Sequence, residues 1–175
     1  MTSSVDYFKL FPENYKWVWL GVTTLNIECF LLGLIYVNYI RTKIFSQDFM
    51  NNNFGDTHQA CFKSQPPKGG YADAGNGKYS ERLSLKNWFD FNVGYRGHIN
   101  FTEGLPFTVI IGLLAGLFYP ITAAIFLGIS VVARLIFIIG YVIAPRLRSI
   151  GFLPAFISQF VLTIIFLVGF FRQLF

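Results

Sequence analysis

The sequence predicts an all-α integral membrane protein: a four-helix bundle in a single membrane domain, with a long polar loop between helices 1 and 2. Three observations carry that expectation. The 175-residue chain is 54% hydrophobic and only 13% charged, against roughly 25% charged in soluble domains. Four apolar stretches stand out, about 17–40, 99–119, 121–144 and 152–171. Each approaches the roughly 20 residues that cross about 30 Å of hydrocarbon. A backbone in lipid must satisfy its own polar groups, so these stretches read as helices.

The segment before the first span, Met1 to Lys16, mixes Asp6, Lys9, Glu13 and Lys16. It has no small-residue cleavage site after an apolar run, so the first span is expected to stay rather than be removed as a signal peptide. Asn26 and Glu28 sit midway along that span, where interhelical hydrogen bonding, or a Glu28 carboxyl left neutral by its low-dielectric surroundings, is the expectation. Cys29 beside them is expected to pack. Two cysteines are too few for a disulfide framework. His58 and Cys61, three apart, are expected to be a solvated pair, and no metal site is expected from them.

Residues 41–95 form the one long polar segment. Asn51-Asn52-Asn53, Pro66-Pro67, Gly69-Gly70 and Gly75-Asn76-Gly77 are turn and loop signals. Leu83 to Phe91, with Leu85, Trp88, Phe89 and Phe91, predicts an interfacial helix that leads into the second span. The second and third spans are separated by almost nothing at Leu117-Phe118-Tyr119-Pro120, which predicts a tight antiparallel hairpin. Pro145 is expected to end or kink the third span.

Four spans place both termini on one side of the membrane. The other side holds Arg41, Lys43, Lys63, Lys68, Lys78, Arg82, Lys86, Arg96, Arg146 and Arg148, ten cations against Lys9, Lys16 and Arg172. That excess puts the long segment in the cytosol, or in the matrix if the membrane is mitochondrial. An endoplasmic reticulum or mitochondrial membrane fits this pattern. No nucleic-acid partner is expected, and four spans without inverted repeats or broken helices give little support for a transporter.

The chemistry concentrates at the entry to the second span. Arg96, Asn100 and Glu103 are spaced i, i+4 and i+7, so on a helix they share a face. The hairpin brings the end of the third span, with Tyr141, Arg146 and Arg148, to the same membrane surface. Arg134 lies nearly three turns inside the third span. An arginine at that depth must snorkel, find a carboxylate or line a wet cavity. An ion pair with Glu103 or Glu28 that locks helices is one reading of it, and ligand contact is the other.

A tripeptide thiol fits this set better than it fits any one residue. Glutathione offers two carboxylates for arginine forks, an ammonium for Glu103 and amides for Asn100. Its thiol has a reference pKa near 8.5, and an arginine such as Arg148 would lower it.

The pattern Arg96-x-His98-x-Asn100-x-x-Glu103, followed by Pro106, resembles the second helix of the MAPEG family, the membrane-associated proteins of eicosanoid and glutathione metabolism. Gly116 to Pro120, followed by Ala123, Ala124, Leu127 and Gly128, resembles the family's hairpin, and Ala133 to Tyr141 its third helix. The Arg-x-His-x-Asn form is most similar to the third microsomal glutathione transferase type. The resemblance covers Arg96 to Phe175 well, and the first span only in placement. It implies a homotrimer of four-helix protomers with glutathione bound between neighbours. It assigns substrate contacts to Arg96, Asn100, Glu103 and Tyr141 and the thiolate-stabilising role to Arg148. Arg41 falls near a second family arginine.

Three features depart from the family pattern. Gly104 stands where many members have an aromatic residue, Phe137 stands where several have tyrosine, and the 41–95 segment is longer than usual. Two functions follow. One is a glutathione-dependent transferase or peroxidase acting on lipophilic electrophiles or lipid hydroperoxides. The other is a non-catalytic accessory subunit docked among other membrane subunits, for instance in the mitochondrial inner membrane.

Overall fold

The structure is a computed structural model and describes residues 10–175. Asp6 and Lys9 lie outside the described residues. Among the described residues five helices of two or more turns form: α1, Tyr15–Ile44; α2, Gln47–Phe62; α3, Leu85–Phe118; α4, Pro120–Ile143; and α5, Arg148–Leu174. α1, α3, α4 and α5 are long and apolar enough to cross a membrane. The chain is an integral multi-pass membrane protein, as its composition predicts. The described residues divide into two compact units, 10–28 with 101–175, and Cys29–Asn100.

The first unit holds the bundle. Val18, Val22 and Leu25 on α1 are buried and repeat at helical spacing, so one stripe of that helix faces inward. Ala123, Leu127, Ala133 and Phe137 do the same on α4. Ile125, Val132 and Ile139 lie seven apart on the opposite face of α4 and are 56–58% exposed. Such a stripe is stable only against lipid or another apolar surface. Tyr15 donates its hydroxyl proton to the Leu113 carbonyl at 2.9 Å and ties the start of α1 to α3. α4 and α5 touch closely at Gly151, where a Cβ would collide with the Phe137 nitrogen and the Ala133 carbonyl oxygen. Pro120 stands at the start of α4, where its missing N–H and fixed φ cost nothing.

The second unit adds a helix, α2, to the long polar segment expected over 41–95. α1 runs through a π-helical segment at Leu32–Val37 to Ile44. Ser46 then caps α2, its Oγ accepting the Phe49 N–H at 3.2 Å. Lys63 closes α2 at φ 56°. Phe45, Met50 and Phe91 form a closed apolar core with Phe49, Phe54, Tyr79 and Leu83 against it. Phe45 and Phe91 meet edge to face at 5.2 Å. The alternating aromatic and asparagine composition of 45–62 hides this core from a hydropathy reading, because α2 has no long apolar run.

The interfacial helix predicted at Leu83–Phe91 is the first part of α3, with no break before the second span. Its Phe91 is buried and its Leu85 is 80% exposed.

Residues 63–84 are held by hydrogen bonds. Gly69 N–H donates to the Phe45 carbonyl at 2.8 Å. Trp88 Nε1 donates to the Gly75 carbonyl at 2.8 Å. Asp73 is 2% exposed and accepts from Gly75 N–H, Gly77 N–H, Ser80 N–H and the Ser80 hydroxyl. Burial pushes its carboxyl up, but the Ser80 hydroxyl and the N–H groups of Ser80, Gly75 and Gly77 outweigh that and hold it below its usual 3.8. His58 is buried, not solvated as expected, and its Nε2 lies 2.6 Å from the Tyr79 hydroxyl. Cys61 is exposed.

Candidate functional site

The corner between α4 and α5 is built by Pro145. α4 ends at Ile143, Ala144 is extended at φ −157°, and Pro145–Leu147 make one 3-10 turn. α5 starts at Arg148, earlier than the apolar pattern alone predicts. The turn brings Arg148 back over the end of α4. Its Nη1 donates to the Tyr141 hydroxyl at 3.3 Å, and its guanidinium carbon lies 5.3 Å from the Tyr141 ring. Arg148 is exposed and Tyr141 half-buried. Leu147 offers no side-chain cap to α5. A guanidinium with most of its donors unspent, a phenol and a helix start can together hold an anion.

Arg134 is placed differently. It is 6% exposed, with its guanidinium carbon 5.2 Å from the Phe101 ring. A Cβ on Gly104 would stand 2.5 Å from Arg134 Nη2. The glycine found where the family pattern has an aromatic residue is therefore the space Arg134 occupies. Charge on Arg134 acts on the Glu28 carboxylate. Both oxygens of Glu28 are buried without a hydrogen-bond partner among the described residues. The expected Glu103–Arg134 ion pair does not form among the described residues, because Glu103 is exposed while Arg134 is inside.

Arg96, Asn100 and Glu103 lie on one uninterrupted helix, α3, so their spacing puts them on one face. Arg96 is exposed and Asn100 half-buried. Arg41 makes bonds within the second unit. Its Nη1 donates to the Gly69 and Gly70 carbonyls at 3.1 and 3.0 Å, and its guanidinium lies 5.2 Å from the Phe91 ring. It fastens the 63–84 segment to the end of α1, a role no local spacing reveals.

Sequence reasoning passed over Gln159. Its Nε2 donates to Thr108 Oγ1 at 2.5 Å and to the Gly104 carbonyl at 3.4 Å. A lone amide in a span of mean hydropathy 2.2 was the available signal. It also passed over the fit of His98 to α1. The His98 ring bonds to the Cys29 backbone, and a Cβ on Gly33 would lie 2.6 Å from its Nε2.

Four apolar helices, a tight α3–α4 hairpin and a cationic corner define a multi-pass helical membrane protein with an anion-competent edge. The MAPEG family model matches residues 31–168. The chain belongs to the MAPEG family, membrane proteins of glutathione and eicosanoid metabolism. No curated protein matches it.

Proposed function

We propose that this protein is a glutathione-dependent membrane transferase or peroxidase, most similar to the third microsomal glutathione transferase type. Its substrates are lipophilic electrophiles or lipid hydroperoxides that arrive through the bilayer. The observation that carries this is the exposed Arg148 guanidinium held against Tyr141 at the α4–α5 corner. Arg148 stabilises the glutathione thiolate, and Tyr141 keeps it in position. Lowering a thiol pKa by two units takes about 2.7 kcal/mol of differential stabilisation. The thiolate sulfur then attacks the electrophilic carbon, a C–S bond forms, and the leaving group departs with the bonding pair. Arg96, Asn100 and Glu103 on α3 take the tripeptide's carboxylate, amide and ammonium, and Arg134 serves as an inner positive charge. The active form is a homotrimer of one membrane domain per chain. Its 41–95 segment faces the cytosol in the endoplasmic reticulum, or the matrix in mitochondria.

A second reading has its own observation. Phe62 and Tyr71, outside the spans, are 68% and 86% exposed. Side chains of that size on a polar segment suit coverage by another subunit, as in a docked, non-catalytic role. Glutathione calorimetry on the purified protein separates the two. Binding, with conjugation to a lipophilic electrophile by a particle of trimer mass, supports the enzyme. No binding, with recovery only inside a larger assembly, supports the subunit.

A further inference from the structure

The first unit carries a groove that the proposed reaction does not use. It runs between the start of α1 and the first half of α4, with a volume of about 490 Å³, within the range of small-molecule sites. Asn14 and Trp17 stand at its α1 end, and the small residues Gly21, Thr24, Ala124 and Gly128 line it further in.

Its length matches one leaflet. The lining runs from Asn14 to Thr24 along one wall and from Ile121 to Val131 along the other. Ten residues of helix rise about 15 Å, half of the roughly 30 Å hydrocarbon core. The groove therefore starts at the first residues of both spans and covers about the depth of one leaflet. Its charge is placed at the entry. Lys16 Nζ lies 5.6 Å from the ring of Trp17, a lining residue. Arg172 donates to the Tyr119 hydroxyl at 3.2 Å, two residues before the lining Ile121. Glu13 is the acid of this edge, so the described cations there outnumber it.

Gly128 adds an independent observation. Glycine inside a helix costs stability relative to alanine. A Cβ added at Gly128 meets nothing within 4 Å. No contact among the described residues requires glycine there, so the groove is open at that point and a larger side chain would fill it. Ala124 and Gly128 are also four apart, a spacing that suits close helix packing. Trp17 and Ile125 stand 50% and 56% exposed beside them, and such a rim suits a slender chain better than a helix about 10 Å across.

We propose that this groove binds one acyl chain of a membrane phospholipid, with the phosphate at the edge formed by Lys16 and Arg172. The test uses the full-length protein in nanodiscs of defined phospholipid. A phospholipid with a photoreactive acyl chain is cross-linked and the modified peptide mapped, and native mass spectrometry counts retained lipid. The parent is expected to be labelled within 121–131 or 14–24. Gly128→Leu fills open space, and it should lower that labelling at least about fivefold and remove one retained lipid per chain. Thr24→Leu, on the other wall, should lower labelling in the same direction and serves if Gly128→Leu fails to fold. Lys16→Glu with Arg172→Glu should reduce retention of an anionic phospholipid more than of a zwitterionic one. Unchanged labelling in the filled variants overturns the proposal. So does a loss of oligomer mass in Gly128→Leu with the lipid count unchanged, which would make the groove a contact with a second copy.

Discussion

Arg41 and Arg148 follow membrane spans on the same side of the sequence's charge map, yet the structure uses them in opposite ways. Arg41 gives Nη1 to two carbonyls 28 and 29 residues away and lays its guanidinium over Phe91. Arg148 makes one 3.3 Å bond to a phenol seven residues away and stays exposed. Several side chains around Arg41 behave as it does. Asp73 has four donors, Trp88 caps a carbonyl, and His58 is paired with Tyr79. The buried Asp73 and Ser80 of the 63–84 segment are consumed by folding it. The polar groups at the α4–α5 corner are left with capacity, and spare capacity is what a ligand needs.

The sharpest way to break this contrast is at Asp73. Asp73→Ala leaves three N–H groups and a hydroxyl without their carboxylate. Charged hydrogen bonds are worth about 1.5–3 kcal/mol each and are not additive, so the 63–84 segment should lose about 3 kcal/mol of local stability. Faster hydrogen exchange confined to that segment is the readout. Acid should mimic it. The folded carboxyl is held below 3.8, so its contribution is full above that value and is lost as pH falls through the lower folded value. Loss of the segment at pH 6 instead would point to another group.

Arg148→Ala tests the other side of the contrast. Glutathione-dependent conjugation should fall at least about a hundredfold, about 2.7 kcal/mol, with glutathione affinity within a few-fold. Arg146→Ala should change turnover little. Equal losses at both would reduce the corner to a general positive field. Arg41→Ala should reverse the pattern, with about 2 kcal/mol less protection in 63–84 and glutathione affinity unchanged by calorimetry. A large loss of affinity there would erase the distinction between the two arginines. A smaller loss than at Arg148 is expected at Glu103, which is exposed. Glu103→Gln should weaken glutathione about tenfold, about 1.4 kcal/mol, and unchanged affinity would remove it as the ammonium partner.

Legibility divides along the same line. By itself the sequence determined the four spans, the α3–α4 hairpin at Pro120, the break at Pro145 and the family, because hydropathy, helix period and proline geometry act over a few neighbouring residues. It also determined that Arg96, Asn100 and Glu103 share a face, since a helix period requires nothing beyond the helix itself. Only the tertiary structure decided which polar residues are spent. The Arg41 bonds to Gly69 and Gly70, the His58–Tyr79 pair and the Gln159–Thr108 bond join residues 21 to 51 apart, and no local pattern encodes a partner at that distance. Gly104 shows the same limit. As a letter it departs from the family, and only the position of the Arg134 guanidinium shows that the missing side chain is room already taken.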